Sequence, residues 1–203
     1  ENLLSVSRLE EGRMNLHVAT ELIDEVVAEA LRHVNRKSVE YHLHVQSSDE
    51  YLLAQIDAKL IVQVLINIVD NAIKFCGVGG EIRFSVTQGK GFVTVAVRNT
   101  GEGIAPEALP HVFDRFYKED KSRGLNTSGA GLGLHICKVL VNLSGGKIRA
   151  ARKAGETTEL QLTIPAGKKL KKRKEKGEKE KAWPERQKGG MEDGAGTDAA
   201  GVQ

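Results

Sequence analysis

The sequence predicts an α+β fold, on three observations. Stripes of apolar residues at helical spacing alternate with short runs of strand-like alternation, two of those runs flank a glycine-bearing hairpin, and a long irregular stretch separates the hairpin from a late helix. At 203 residues with 40% hydrophobic content, the chain can bury one substantial core. The net charge of +3 is carried by the end of the chain: from Lys168 onward there are 11 basic and 7 acidic residues, which leaves 19 and 20 in the rest, a body of −1. A nearly neutral body argues against a nucleic-acid-binding face, which needs clustered Lys and Arg. Cys76 and Cys137 stand far apart with no second pair, so neither a disulfide framework nor a zinc site is indicated, and a reducing cytoplasmic setting fits. No run approaches the roughly 18 to 20 apolar residues needed to span a bilayer. The chain opens on Glu1 rather than Met and within a helical pattern, so it reads as a fragment, and a membrane-anchored parent is left open.

Residues 2–11 carry Leu3, Leu4, Val6 and Leu9 at helical spacing before Gly12, the end of a longer helix. Thr20 is placed to cap a second helix over 21–36, whose stripe is Leu22, Val26, Val27, Ala30, Leu31 and Val34. Strands are expected at 39–45 and 52–56, then a helix over 58–75 with Asp57 as its cap. Strands at 81–87 and 92–98 are joined through Gln88-Gly89-Lys90-Gly91, a tight hairpin. Residues 99–130 are too long and irregular for an ordinary connection, and their aromatic cluster favours a functional loop. Helical spacing returns over 131–143, followed by strands at 147–152 and 158–164. The expected organisation is therefore a helix end and linker over 1–17, a domain over 18–166, and a tail over 167–203 too polar to fold.

The helix over 58–75 carries the chemistry. Leu60, Ile61, Val64, Leu65, Ile68, Ala72 and Ile73 make most of its circumference apolar. At about 100° per residue, with Asn67 at zero, Gln63 falls near −40°, Asp70 near −60°, Asn71 near +40° and Lys74 near −20°. Five polar residues share one narrow face. A solvated stripe is the ordinary reading of such a face, but on so apolar a helix a ligand-lined groove accounts for it better. Asn oxygens are hard neutral ligands suited to a Mg²⁺ that already carries phosphate oxygens, and Lys74 supplies positive charge. Two glycine motifs follow. Asn99-Thr100-Gly101-Glu102-Gly103-Ile104 comes after a strand, and Gly129-Ala130-Gly131-Leu132-Gly133-Leu134 leads into a helix whose N-terminus can hold phosphates. The second fits neither a dinucleotide fingerprint nor a P-loop.

In their order along the chain these motifs resemble the GHKL superfamily of ATPase domains, which includes gyrase, the ninety-kilodalton heat-shock chaperones, mismatch-repair ATPases and histidine kinases. NIVDNAIKF is similar to the N box, NTGEGI to the first glycine box, FDRFYK to the F box and GAGLGL to the second glycine box, with GETTEL in place of the last Gly-Thr motif. The F box and the close spacing point to the catalytic domain of a two-component sensor histidine kinase. The resemblance covers about residues 1 to 166, with SRLEEGRMNLH similar to the exit from the dimerisation helices. It implies a two-layer α/β sandwich of the Bergerat type, a mixed sheet backed by three helices, binding ATP and Mg²⁺.

Carried over by position, the resemblance makes Asn71 the metal ligand, Asn67 and Lys74 phosphate contacts, and Phe75 a wall near the purine. Gly101 and Gly103, with Ile104 in the same motif, would floor the adenine pocket. Phe113, Phe116, Tyr117 and Lys118 would belong to a mobile lid, Lys118 reaching the phosphates. Gly129, Gly131 and Gly133, with Leu132 and Leu134 of the same motif, would wrap the triphosphate, and Thr158 would lie near the adenine. No residue of the chain is expected to act as a protein nucleophile. The γ-phosphate would pass to a histidine outside the fragment, on its own or a paired dimerisation domain of a homodimeric parent, and then to a response regulator. None of His17, His33, His42, His44, His111 and His135 lies in a phosphoacceptor pattern.

Two departures matter. Asn99 stands where the family has an Asp that accepts the adenine amine, and an amide brings one acceptor oxygen and a competing NH₂. A loss of about tenfold in affinity is expected, since hydrogen bonds to ions are worth about 1 kcal/mol more than neutral ones. Thr157 and Glu159 stand where a glycine and a smaller or aromatic pattern are typical. Asn99 keeps a rival reading in view, a nucleotide-sensing interaction module with weak or no kinase activity. A gyrase-like hydrolase would need a carboxylate base on the N-box helix, where this sequence has Gln63, and nucleic-acid binding through the basic tail is least favoured.

Overall fold

In the computed structural model of the chain, the described residues are 15–33, 41–46, 51–118, 131–153 and 157–167. The elements are β1 (Ala19–Leu22), α1 (Ile23–His33), β2 (Tyr41–Gln46), β3 (Leu53–Ile56), α2 (Ala58–Phe75), β4 (Gly80–Gln88), β5 (Phe92–Thr100), α3 (Gly133–Leu143), β6 (Lys147–Lys153) and β7 (Thr157–Pro165). Five strands form one sheet in the order β2-β4-β5-β7-β6, and β1 pairs with β3 in a two-stranded sheet. The larger sheet is mixed, because β2 runs parallel to β4 while every other pair is antiparallel. It is a two-layer α+β sandwich with three helices, as expected.

Period-two alternation decides which side of the sheet the helices cover. Ile82, Phe84 and Val86 of β4, Val93, Val95 and Val97 of β5, and Leu160, Leu162 and Ile164 of β7 are all buried. They form one core with Ile23, Val26, Val27 and Ala30 of α1, Cys137, Leu140 and Val141 of α3, and seven residues of α2 from Leu60 to Ala72. Arg83 and Arg98 point away from that side, Arg98 holding the Glu159 carboxylate at 2.7 Å. The antiparallel β4–β5 hairpin turns through Gly91 at φ 79°, a left-handed angle that glycine adopts without cost.

Asp57 caps α2 as its sequence predicts: Oδ1 accepts from the Lys59 N–H at 3.2 Å, and Oδ2 accepts from the His17 N–H at 2.9 Å, pinning the incoming chain. Thr20 does not cap α1. Residues Ala19–Leu22 pair with Ile56–Leu53, and Thr20 Oγ1 lies 3.1 Å from Gln55 Oε1 across that ladder, so the chain is extended until Ile23. Asp24 and Glu25 then occupy the first turn, where the helix dipole favours acids. The late helix begins at Gly133 rather than 131, because Gly131 has φ 71° and cannot join a right-handed helix. Residues 101–118 run through successive turns. The expected helix over 2–11, residues 119–130 of the irregular stretch and all of the expected tail over 167–203 except Gly167 lie outside the described residues. No described helix is long and apolar enough to cross a membrane.

Candidate nucleotide site

The polar stripe of α2 is the least buried part of an otherwise enclosed helix: Gln63, Asp70 and Lys74 are exposed, and Asn67 and Asn71 half-buried. Gln63 Nε2 donates to Asn67 Oδ1 at 3.4 Å. The Asn67 side chain also hydrogen-bonds the Cys137 thiol of α3, which in turn points at the Val64 carbonyl at 3.6 Å. Burial pushes that thiol up to about 12. Asn67 thus ties α2 to α3. Burial raises the Asp70 carboxyl and lowers the Lys74 ammonium.

Lys74 is held down by a second cause, the charge of Lys118. The fold therefore brings together a helix cation and a cation from the end of the F-box segment, 44 positions apart in sequence numbering. Two like charges that feel each other are relieved by an anion that binds near both. Lys74 Nζ also lies 5.1 Å from the centre of the Phe75 ring, which is 44% exposed for so large an apolar side chain.

Gly131 connects the F-box segment to α3. Its carbonyl accepts from the Phe116 N–H at 3.1 Å, and a Cβ on it would meet Phe116 and Tyr117 backbone atoms at 2.9 Å. Phe116 itself has φ 62°, a left-handed angle disfavoured for a bulky residue. Leu132 is buried at the N-cap of α3 and offers no side-chain bond to it, so among the described residues no side chain caps the first N–H groups of that helix. Leu134 packs against the core, while Gly133 faces open space, so nothing steric requires glycine there. Gly129 lies outside the described residues.

The other end of the site is made by the sheet. Asn99 and Thr158 are register partners on β5 and β7, and both are buried on the helix-facing side. Asn99 belongs to the strand, not to the turn that the motif suggested, since β5 continues to Thr100. Its Nδ2 donates to the Thr100 carbonyl at 2.9 Å. A carbonyl can only accept, so one of the two NH₂ hydrogens is committed there, and Oδ1 together with the second N–H faces a ligand. Gly101, at φ 142°, then packs on the end of α2: a Cβ there would stand 2.1 Å from the Phe75 carbonyl oxygen. Gly103, at φ 73°, and the half-buried Ile104 complete this turn.

Two features escape the sequence reading. Arg152 lies against Gly103, 3.4 Å from Nε to a Cβ built on that glycine. Counting by twos along β6 from Ile148 and Ala150 would have found it on the inner side. Thr100 Oγ1 accepts from the Glu81 N–H at 2.8 Å and stands 2.6 Å from a Cβ on Gly80, locking the end of α2 to the two central strands. Thr157, where the family's glycine is typical, has a buried hydroxyl without a hydrogen-bond partner among the described residues.

The chain is similar to known proteins in sequence and fold. Residues 56–168 match the family profile described as histidine kinase-, DNA gyrase B- and HSP90-like ATPase. The sensor protein KdpD of Clostridium acetobutylicum is 35% identical over 165 residues, 81% of this chain but 18% of KdpD. The chain thus spans about a fifth of the length of the curated relatives it matches. Among solved structures, full-length ShkA in complex with AMPPNP aligns with TM-score 0.66 and 27% identity, over 81% of this chain and 34% of that one. The catalytic domain of histidine kinase ThkA aligns with TM-score 0.61 and 28% identity, over 75% of this chain and 98% of that one. The chain belongs to the histidine kinase-, DNA gyrase B- and HSP90-like ATPase family, as an ATP-binding catalytic domain of the sensor histidine kinase type.

Proposed function

We propose that this domain holds Mg²⁺-ATP between α2 and the N-terminus of α3 and delivers the γ-phosphate to a histidine on a dimerisation helix outside this sequence, for relay to a response regulator. The observation that carries the reading is the polar face of α2, where the half-buried Asn67 and Asn71 and the exposed Lys74 interrupt an otherwise enclosed helix, with the charge of Lys118 acting on Lys74. A triphosphate satisfies all these groups and the first N–H groups of α3 at once. Among the described residues no three His, Cys, Asp or Glu side chains gather into a metal cage. The donor set fits a divalent ion held by the Asn71 amide oxygen and by phosphate oxygens, where it would offset phosphate charge.

Phosphoryl transfer asks the protein mainly for positioning and charge neutralisation. Asn71 fixes the phosphate end against α2, Lys74 and Lys118 draw the negative charge toward one point, and Asn67 keeps α2 and α3 in register through Cys137. At the base end, Asn99 Oδ1 accepts from the adenine amine, with Thr158 beside it and Phe75 as the wall. The acceptor histidine belongs to a homodimeric parent whose domain here lies on the cytoplasmic side.

The experiment is phosphotransfer in trans: γ-labelled ATP, this chain, and a separately supplied dimerisation domain bearing the acceptor histidine of a related sensor kinase. Label moving to that domain is the expected result. ATP binding without any transfer would favour the second reading, a nucleotide-sensing interaction module, which Asn99 in place of a carboxylate supports.

A further inference from the structure

Arg152 is a cation on the helix-facing side of the sheet. It stands in register beside Thr158, and Thr158 beside Asn99, so three polar side chains form one row across β6, β7 and β5. The row ends the same face that Leu160, Val97 and Ala150 fill with apolar groups. The stem of Arg152 runs over the first glycine turn, with Cγ and Cδ 3.7 Å from a Cβ built on Gly103. An arginine with its head merely in solvent would snorkel from any edge position. Arg152 is exposed as well, but its stem lies on the glycine turn that borders Asn99.

We propose that Arg152 reads the base of the bound nucleotide, donating to an acceptor nitrogen on the purine edge while Asn99 Oδ1 accepts from the exocyclic amine. The inference rests on the nucleotide-binding reading above. Arginine carries only donors, and Asn99 offers its oxygen as the acceptor, one hydrogen of Nδ2 being held by the Thr100 carbonyl. An acceptor next to a donor fork matches adenine, whose amine adjoins acceptor ring nitrogens. Guanine sets a carbonyl oxygen where that amine would be, facing the Asn99 oxygen. Arg152 thereby supplies a charge-assisted contact at the position where the carboxylate is missing.

The test uses the whole 203-residue chain, titrated in Mg²⁺ with a non-hydrolysable ATP analogue and, separately, with inorganic tripolyphosphate. Arg152→Ala and Arg152→Gln are compared with wild type, Gln keeping a stem on Gly103 without the charged fork. Both variants are expected to bind the ATP analogue about tenfold more weakly, the loss of one charge-assisted hydrogen bond, and tripolyphosphate as wild type does. Equal weakening toward tripolyphosphate would make Arg152 a general electrostatic contributor and overturn the base contact. So would full affinity in Arg152→Gln, which assigns the effect to stem packing. A wild type that binds nucleotide indifferently to both variants defeats this inference alone, whereas a wild type that binds no nucleotide defeats the nucleotide reading with it.

Discussion

The two ends of the site rest on different kinds of order. At the base end, Asn99 and Thr158 are buried and fixed by strand register, and Gly101 is wedged against the Phe75 carbonyl. At the phosphate end, Asn71, Lys74 and Lys118 are half-buried or exposed, held by helix periodicity and a turn. Changes at the base end therefore affect folding and affinity together, while changes at the phosphate end affect affinity with little effect on the fold.

The largest effect expected is at Gly101. Gly101→Ala puts a Cβ 2.1 Å from a backbone oxygen at φ 142°, and should cost about 3 kcal/mol or more, a melting temperature lower by about 6 to 12 °C. Gly133→Ala, into open space at a helix start, should change stability by no more than about 0.5 kcal/mol. Equal effects in the two variants would erase the distinction between the wedged turn and the open one.

Asn99→Asp should separate affinity from stability. A carboxylate in that place should bind the ATP analogue about tenfold more tightly, but loses the Nδ2 bond to the Thr100 carbonyl and costs about 1 kcal/mol in thermal or denaturant unfolding. Tighter binding with unchanged stability would mean that the amide was never committed to Thr100.

At neutral pH the smallest effect concerns the seam between the helices, and it grows only in alkali. Burial raises the Cys137 thiol to about 12 in the folded protein from a reference of 9.0. Above pH 9 the unfolded chain releases a proton that the folded chain retains, so this group's contribution to stability falls as pH rises from 9 toward 12. The slope approaches about 1.4 kcal/mol per pH unit. Denaturant unfolding of wild type and Cys137→Ala across that range should show a steeper alkaline loss in wild type. Parallel curves would mean that the thiol is not sealed beneath Asn67.

The same contrast explains what could be read in advance. Periodicity alone located α2, its Asp57 cap and the stripe from Gln63 to Lys74, because those features are local in sequence. Asn99 was identified as an amide in a carboxylate position, but not the direction it faces, since the Nδ2–Thr100 bond depends on β5 continuing past Arg98. Thr20 was assigned as a cap because the β1–β3 ladder, which holds it extended, joins residues 35 positions apart. The approach of Lys118 to Lys74 followed only from the family resemblance; no spacing in the chain implies it. Arg152 was legible in principle from the alternation of β6, but its neighbour Gly103 lies two strands away by register.

The most direct measurement is calorimetric titration of the chain with a non-hydrolysable ATP analogue, with and without Mg²⁺, in wild type and Asn71→Ala. The account predicts metal-dependent binding in wild type and a loss of about a hundredfold or more in the variant, with the fold unchanged. Binding of equal strength in both proteins, or binding indifferent to Mg²⁺, would contradict the assignment of Asn71 and its neighbours to the metal-phosphate end.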